Sequence, residues 1–345
     1  MWRKIKSSFI LKKIFNSVIL KRRLNIIVYN KKIKKKFDLD IIDYKRFSGK
    51  YRIEEENGII KEYNSYNNKL LFIGHYSNRK KNGIGKEYDE EKNLTFEGEY
   101  LDGKKWKGKV KQYDEDTEEL ILEYEYLNGI IDGNAKEYDK FSGDLLFEGK
   151  YLNGKRNGKG TEYKSFQKEK SDNDNSKSIK IFSGEYLNGE RYEGCEYDYK
   201  GNIIYKGGYL NGKRNRKGKL YDEFGNLKYE GEFLNGKKHG KGIEYDKHHE
   251  VKYIGEFINN KKNGKGKEYV YLYEHKYKYH QNDKYDNNDL IFEGEYYNNY
   301  RIRGKEYYKK GKLKYEGEYL FKEKINGKIY NYEGNMIFEL KYGNV

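Results

Sequence analysis

Aromatic residues return along this chain with a fixed spacing: an aromatic, one residue, a glycine, one residue, an aromatic. Phe96-Glu-Gly-Glu-Tyr100, Phe147-Glu-Gly-Lys-Tyr151, Tyr229-Glu-Gly-Glu-Phe233, Phe292-Glu-Gly-Glu-Tyr296 and Tyr315-Glu-Gly-Glu-Tyr319 share it. Looser copies start at Phe47, Phe72, Phe182, Tyr205 and Tyr253, and degenerate ones at Leu122 and Phe338. Aromatic, glycine and aromatic stand at i, i+2 and i+4, so an extended chain puts all three on one face. The residues between them, such as Glu97 and Glu99, then point the other way. The pattern predicts a strand. Glycine weakens a strand and is used where something must approach closely, so an aromatic ring from the neighbouring unit is expected over it.

The residues after each strand complete a hairpin. Leu152-Asn-Gly-Lys-Arg-Asn-Gly158 is rich in residues that tolerate positive φ. A second strand is predicted through Gly158-Lys-Gly-Thr-Glu-Tyr163, and a link such as Asp222-Glu-Phe-Gly-Asn226 turns into the next unit. Unit starts are 23 to 26 residues apart, except for gaps of 35 and 39. Those two gaps locate polar insertions at 164–181 and 270–291, expected as surface loops.

The pattern Tyr/Phe-Glu-Gly-Glu-Tyr/Phe-x-x-Gly-x-x-x-Gly-x-Gly resembles the MORN repeat, with Tyr229 to Tyr245 close to its consensus. The resemblance covers 47–345 with twelve in-phase copies, the unit at 122 and the short second strand at Gly194-Cys-Glu-Tyr197 departing from it. It implies a mainly β fold: an elongated, single-layer antiparallel β-hairpin solenoid, in which each unit touches only its neighbours. It also implies a non-catalytic scaffold that binds protein partners, with phospholipid contact as an alternative. Exposed sheet edges invite pairing, and the fragment at Phe338–Val345 offers no polar cap, so a homodimer through the C-terminal edge is expected.

Composition agrees with a thin core. The chain is 37% charged with a mean hydropathy of −1.20, yet carries 40 Tyr and 16 Phe. Low hydropathy and high charge point to disorder when aromatics are scarce. Here each ring buries a large apolar area. A single cysteine, Cys195, excludes an internal disulfide framework and fits a reducing, cytoplasmic setting. No run approaches the roughly 20 apolar residues of a membrane span.

The net charge of +16 is uneven. Residues 1–46 hold 15 Lys/Arg against 3 Asp, while 47–345 hold 57 against 53 Asp/Glu. Basic pairs recur at the hairpin tips: Lys80/Lys81, Lys104/Lys105, Lys155/Arg156, Lys213/Arg214, Lys237/Lys238 and Lys261/Lys262. With strands about 4.8 Å apart, successive pairs are expected roughly 10 Å apart as a ridge. One reading is solubility, since lysine on edges discourages aggregation. The other is an anion track for lipid headgroups or an acidic partner.

The segment 1–46 lacks the repeat, and Ile5, Phe9, Ile10, Ile14, Phe15, Val18 and Ile19 recur at helical spacing. Two or three short helices are expected, forming a cap on the first hairpin, a membrane-surface helix or a mitochondrial presequence. A fourth reading is the F-box, which Phe9-Ile-Leu-Lys-Lys-Ile-Phe15 with Leu24 resembles, without its opening Leu-Pro or later Trp. That resemblance implies a ubiquitin-ligase adaptor with the repeats as substrate receptor.

Catalytic chemistry requires convergent groups. The six histidines fall in tips, links and the second insertion, and His248-His249 would point to opposite faces of a strand. The Gly-x-Gly pairs lack the Lys-Ser/Thr of a phosphate loop. No enzyme activity, cofactor or metal is expected. Nucleic-acid binding is disfavoured because the aromatics occupy core positions in a nearly neutral array.

Overall fold

A computed structural model describes residues 48–165, 178–271 and 288–342. The expected N-terminal helices, and with them the cap, membrane and F-box readings, lie outside these residues. So does most of each insertion. The strands flanking the insertions extend into the gaps, from Lys155–Lys164 to Ile179–Leu187 and from Lys261–Tyr271 to Asn288–Tyr297.

The fold is mainly β, with twenty-three strands among the described residues. Strands in register are antiparallel neighbours in the chain, as in the hairpin of Leu227–Leu234 with Lys237–Tyr245. Among the described residues two compact units are present, the first running to Gly143 and taking in Tyr151–Gly154, the second formed by Asp144–Lys150 and the residues from Lys155 on.

Turn chemistry fixes each hairpin. Asn153 and Gly154 have φ of 52° and 76°, and Asn235 and Gly236 of 51° and 83°. Two successive positive φ values define the type I′ turn, whose twist matches the flanking strands. Links between repeats are closed by an aspartate: the Asp222 carboxylate accepts the backbone N–H of Phe224 and Asn226 at 2.9 and 2.8 Å. Asp198 and Asp246 act in the same way on their own links.

The core is a file of aromatic rings. In the second unit, Tyr229 meets Phe233 of its own strand edge-on at 5.3 Å and Phe257 of the next repeat at the same distance. Tyr205, Tyr229, Tyr253, Phe292 and Tyr315 are fully buried. In the first unit Phe72, Phe96, Tyr100 and Val110 form the equivalent cluster. Edge-to-face pairs contribute about 0.5–1.5 kcal/mol each beyond area burial.

The glycines sit under these rings, but the ring comes from within the unit rather than from its neighbour. A Cβ on Gly231 would collide with the Tyr229 hydroxyl, and one on Gly242 would stand 2.5 Å from the Tyr229 ring. Gly231 and Gly242 face each other across the hairpin. The first aromatic leans along its own strand over both, because neither has a side chain to stop it. The neighbouring repeat supplies the ring that packs against this one from the side.

The degenerate unit shows how far the pattern stretches. Tyr124 takes the glycine position and faces Val110 and Ala135. The strand Lys104–Tyr113 is two residues longer past its glycine than Lys80–Tyr88. Two residues are one full pleat period, so the faces stay in phase.

Candidate charged groove

The two faces of the array use charge differently. On the aromatic face, a glutamate near the end of the second strand of a hairpin is partly buried between cations. Glu162 receives Arg156 of its own hairpin at 3.4 Å and Arg191 of the next repeat, whose Nε lies 3.3 Å away. Burial pushes the Glu162 carboxyl up, but the hydrogen bonds from Arg191 and Tyr186 and the charges of Arg191 and Arg156 outweigh it and hold it below the ordinary carboxylate range. Glu62, Glu87, Glu268 and Glu306 are depressed by the same balance. Burial and the carboxylate together drive the Tyr186 phenol far above its usual value.

This arrangement divides the basic pairs at the tips. Their second members turn onto the aromatic face: Lys81 to Glu87 at 2.5 Å, Lys238 to Glu244 at 2.5 Å, and Lys262 to Glu268. Lys105 reaches back to Glu87 at 2.9 Å, Arg156 holds Glu162, and Arg214 holds Glu196 with Nε at 3.2 Å. Lys81 lies 4.2 Å above the Phe72 ring and Arg156 3.9 Å above Phe147. The first members, Lys80, Lys104, Lys155, Lys213, Lys237 and Lys261, are exposed. Beside four of them an exposed aliphatic residue stands directly across the hairpin: Leu101 by Lys104, Leu210 by Lys213, Leu234 by Lys237 and Ile258 by Lys261.

The opposite face of the second unit carries a groove of about 1490 Å³. Facing glycine pairs, such as Gly218 with Gly231 and Gly242 with Gly255, form a floor without side chains. The residues on either side of each glycine form two charged walls. Lys219–Glu230 at 3.2 Å, Lys267–Glu293 at 3.0 Å, Lys305–Glu316 at 3.4 Å and Arg303–Glu295 at 2.8 Å tie neighbouring strands across them. Ile243 faces Ile254 mid-groove, Ile254 being 40% exposed. None of these residues was singled out from the sequence, although the positions flanking each glycine carry the alternating Glu and Lys that mark the walls.

No group of three or more His, Cys, Asp or Glu among the described residues is placed to hold a metal ion. His248 and His249 lie in the link closed by Asp246, and Cys195 is a half-buried free thiol. No helix among the described residues is long and apolar enough to cross a membrane.

Fold and groove together define a tandem β-hairpin repeat protein with one aromatic and one charged face. The sequence model of the MORN repeat matches residues 147–165, 205–223, 229–247 and 253–269, so the chain carries MORN repeats there, in a hairpin array consistent with a MORN-repeat protein. MORN repeats are found in binding and scaffold proteins. No curated protein matches the chain. Among solved structures, the Tc holotoxin pore of Photorhabdus luminescens is similar at 13% identity and a TM-score of 0.17. The match covers 81% of this chain and 15% of that one.

Proposed function

We propose that the chain is a non-catalytic scaffold that binds a protein partner along the groove of its second unit. The observation that carries this reading is a long trough with a bare glycine floor, charged walls and an exposed aliphatic centre at Ile254. Binding sites are concave and combine apolar contact with a few fixed polar groups. A photo-crosslinker at Ile254 should capture partners that one at the exposed Phe224, in a link, does not. Equal capture at both positions, or none at Ile254, rules the groove out.

A second reading rests on the exposed tips. Leu210/Lys213, Leu234/Lys237 and Ile258/Lys261 set an aliphatic and a basic side chain together on three consecutive hairpins. That pairing suits the interface of an anionic membrane, where each lysine contributes about 1 kcal/mol, and would make the protein cytoplasmic and peripheral. Vesicles of anionic and neutral lipid at two salt concentrations decide it. Sedimentation with neither, or with both alike, discards the membrane.

A third contact concerns the chain itself. The strand Met336–Leu340 pairs only with Glu323–Tyr330 among the described residues. Its Met336, Ile337 and Phe338 are 55–60% exposed. A second copy pairing on that edge would cover both the free backbone groups and the apolar side chains.

A further inference from the structure

We propose that the groove takes an uncharged, proline-rich segment in the polyproline II conformation, one turn of the segment to each hairpin of the array. This rests on the reading of the groove as a protein-binding surface, and it names the conformation and chemistry of the occupant.

Charge does not choose that occupant. Eight acidic and eight basic side chains line the groove, so its formal charge is zero. Across adjacent strands Lys219 is paired with Glu230 and Lys305 with Glu316, while Lys217 faces Glu232 and Lys241 faces Glu256. A charged segment would break such pairs to make its own. An uncharged one leaves them in place.

Width and hydrogen bonding narrow the choice. The walls flank a single glycine on each strand, so they stand two residues, or about 6.8 Å, apart between Cα atoms. An α-helix with its side chains is about 10–12 Å across and does not settle between them. A β-strand has no edge to extend there, because the strands beneath are paired on both sides. Polyproline II has no internal hydrogen bonds, and its prolines have no N–H to leave unmet, so its carbonyls need only donors. The groove supplies them: Lys217, Lys241 and Lys265 stand exposed on one wall, one in each of three consecutive hairpins.

The period fits as well. Hairpins recur every two strands, about 9.6 Å. Three residues of polyproline II make one turn of about 9.3 Å, a slip of about 0.3 Å per hairpin. Same-face residues of a β-strand recur about every 6.8 Å and fall out of step at once. Half-buried Tyr221 and Tyr307 line the groove at matching places, past Gly218 and Gly304, on second strands three hairpins apart. Three turns of polyproline II span about 28 Å, against about 29 Å between those strands. Proline-rich segments dock on aromatic side chains, and Ile243 with Ile254 adds an aliphatic contact between the two tyrosines. The sequence contains no proline, so none of these residues supplies the segment and it belongs to a partner.

The test is fluorescence anisotropy of three labelled peptides of about fifteen residues with the full chain. They are repeats of Pro-Pro-Leu, of Pro-Leu and of Gly-Ala-Leu. The first keeps leucine on one edge of a polyproline II helix, the second winds it around, and the third keeps the spacing without the conformation. Pro-Pro-Leu should bind about ten-fold more tightly than either other peptide. Its affinity should rise with each added triplet and hold when salt is raised from about 0.05 to 0.5 M. Ile254→Asp and Tyr221→Ala/Tyr307→Ala should each weaken it about ten-fold, with the β structure unchanged by circular dichroism. Equal binding of the three peptides, no binding of Pro-Pro-Leu, or loss of binding in salt overturns the proposal. Capture of a partner by the crosslinker at Ile254 would then leave the groove as a binding surface for another segment. Failure of both measurements overturns both.

Discussion

The hydroxyl of Tyr186 donates to the Glu162 carboxylate across 2.7 Å, from a repeat that lies 24 residues further along the chain. Arg191 of the same later repeat binds the same carboxylate. Tyr209 and Arg214 hold Glu196 alike, and Tyr319 and Lys324 hold Glu306. A repeat therefore places a partly buried charge that its successor completes. A partly buried carboxylate is tolerable only when its lone pairs are met.

Two repeats depart from the tyrosine pattern in different ways. Phe233 follows Leu220, where no carboxylate stands, whereas Phe257 follows Glu244, where one does. Phe257→Tyr should therefore stabilise the array by about 1 kcal/mol, through a hydrogen bond to Glu244. Phe233→Tyr should cost about 1–3 kcal/mol for a buried hydroxyl without a partner, and Leu220→Glu/Phe233→Tyr should recover part of it. Chemical unfolding of the three variants measures this. Equal effects of the two single substitutions would remove the carboxylate from the explanation.

Glycines at the tip and under the ring should respond unequally. At Gly236, with φ of 83° and open space around it, alanine should cost about 1 kcal/mol for the left-handed conformation. At Gly242 the added methyl would meet the Tyr229 ring at 2.5 Å, and overpacking there should cost about 3 kcal/mol or more. Thermal unfolding should rank Gly242→Ala well below Gly236→Ala.

Stability should fall at both ends of the pH scale. The folded pKa values of Glu62, Glu87, Glu162, Glu268 and Glu306 lie below their unfolded values. Their contribution is complete above the ordinary carboxylate value, about 4.3, and is lost as pH falls through the depressed one. The buried tyrosines act in the opposite sense. Tyr163 is pushed up to about 12 by burial and by its hydrogen bond to Glu148, and Tyr186 and Tyr209 go higher. The unfolded chain ionises near pH 10 while the folded one cannot, so stability declines above that pH. Phenolate absorbance followed against pH should include a late step, carrying the buried tyrosines, that coincides with loss of β structure. Complete ionisation with the sheet intact contradicts the burial.

If the strand Met336–Leu340 pairs with a second copy, light scattering should report a dimer that dissociates on dilution. Ile337→Lys should shift it to monomer without lowering the unfolding temperature. A monomer at all concentrations removes this contact.

Much of the fold was legible because periodicity two, glycine and the Asn-Gly turns all demand the same hairpin. The sequence could not reveal which ring covers Gly231, since Tyr229 and Phe257 are equally available until packing decides. The basic tips were half legible. Lys81, Arg156, Lys238 and Lys262 are each followed six residues later by the glutamate they bind, a spacing visible in the chain once the register is known. The groove escaped because its walls are built from residues flanking glycines in ten separate strands. One exchange is readable only in three dimensions. Glu232 lies over Gly240 and Glu256 over Gly264, whereas Arg216, at φ 63°, stands at the glycine's place opposite Gly208, where the glutamate is missing.

The carboxylates completed by the next repeat also make the units of this chain behave like dominoes. A unit ending in Leu220 matches a successor that opens with Phe233, and a unit ending in Glu162 or Glu196 matches one that opens with tyrosine and brings an arginine. Units that look alike in the chain are therefore not interchangeable tiles. Moving the unit that begins at Tyr205 to follow Leu220 would strand the hydroxyl of Tyr209, and copying one unit in tandem would succeed only where its two ends suit each other. The order of the repeats is inherited as a set of matched edges, and lengthening such an array by duplication is constrained at each join.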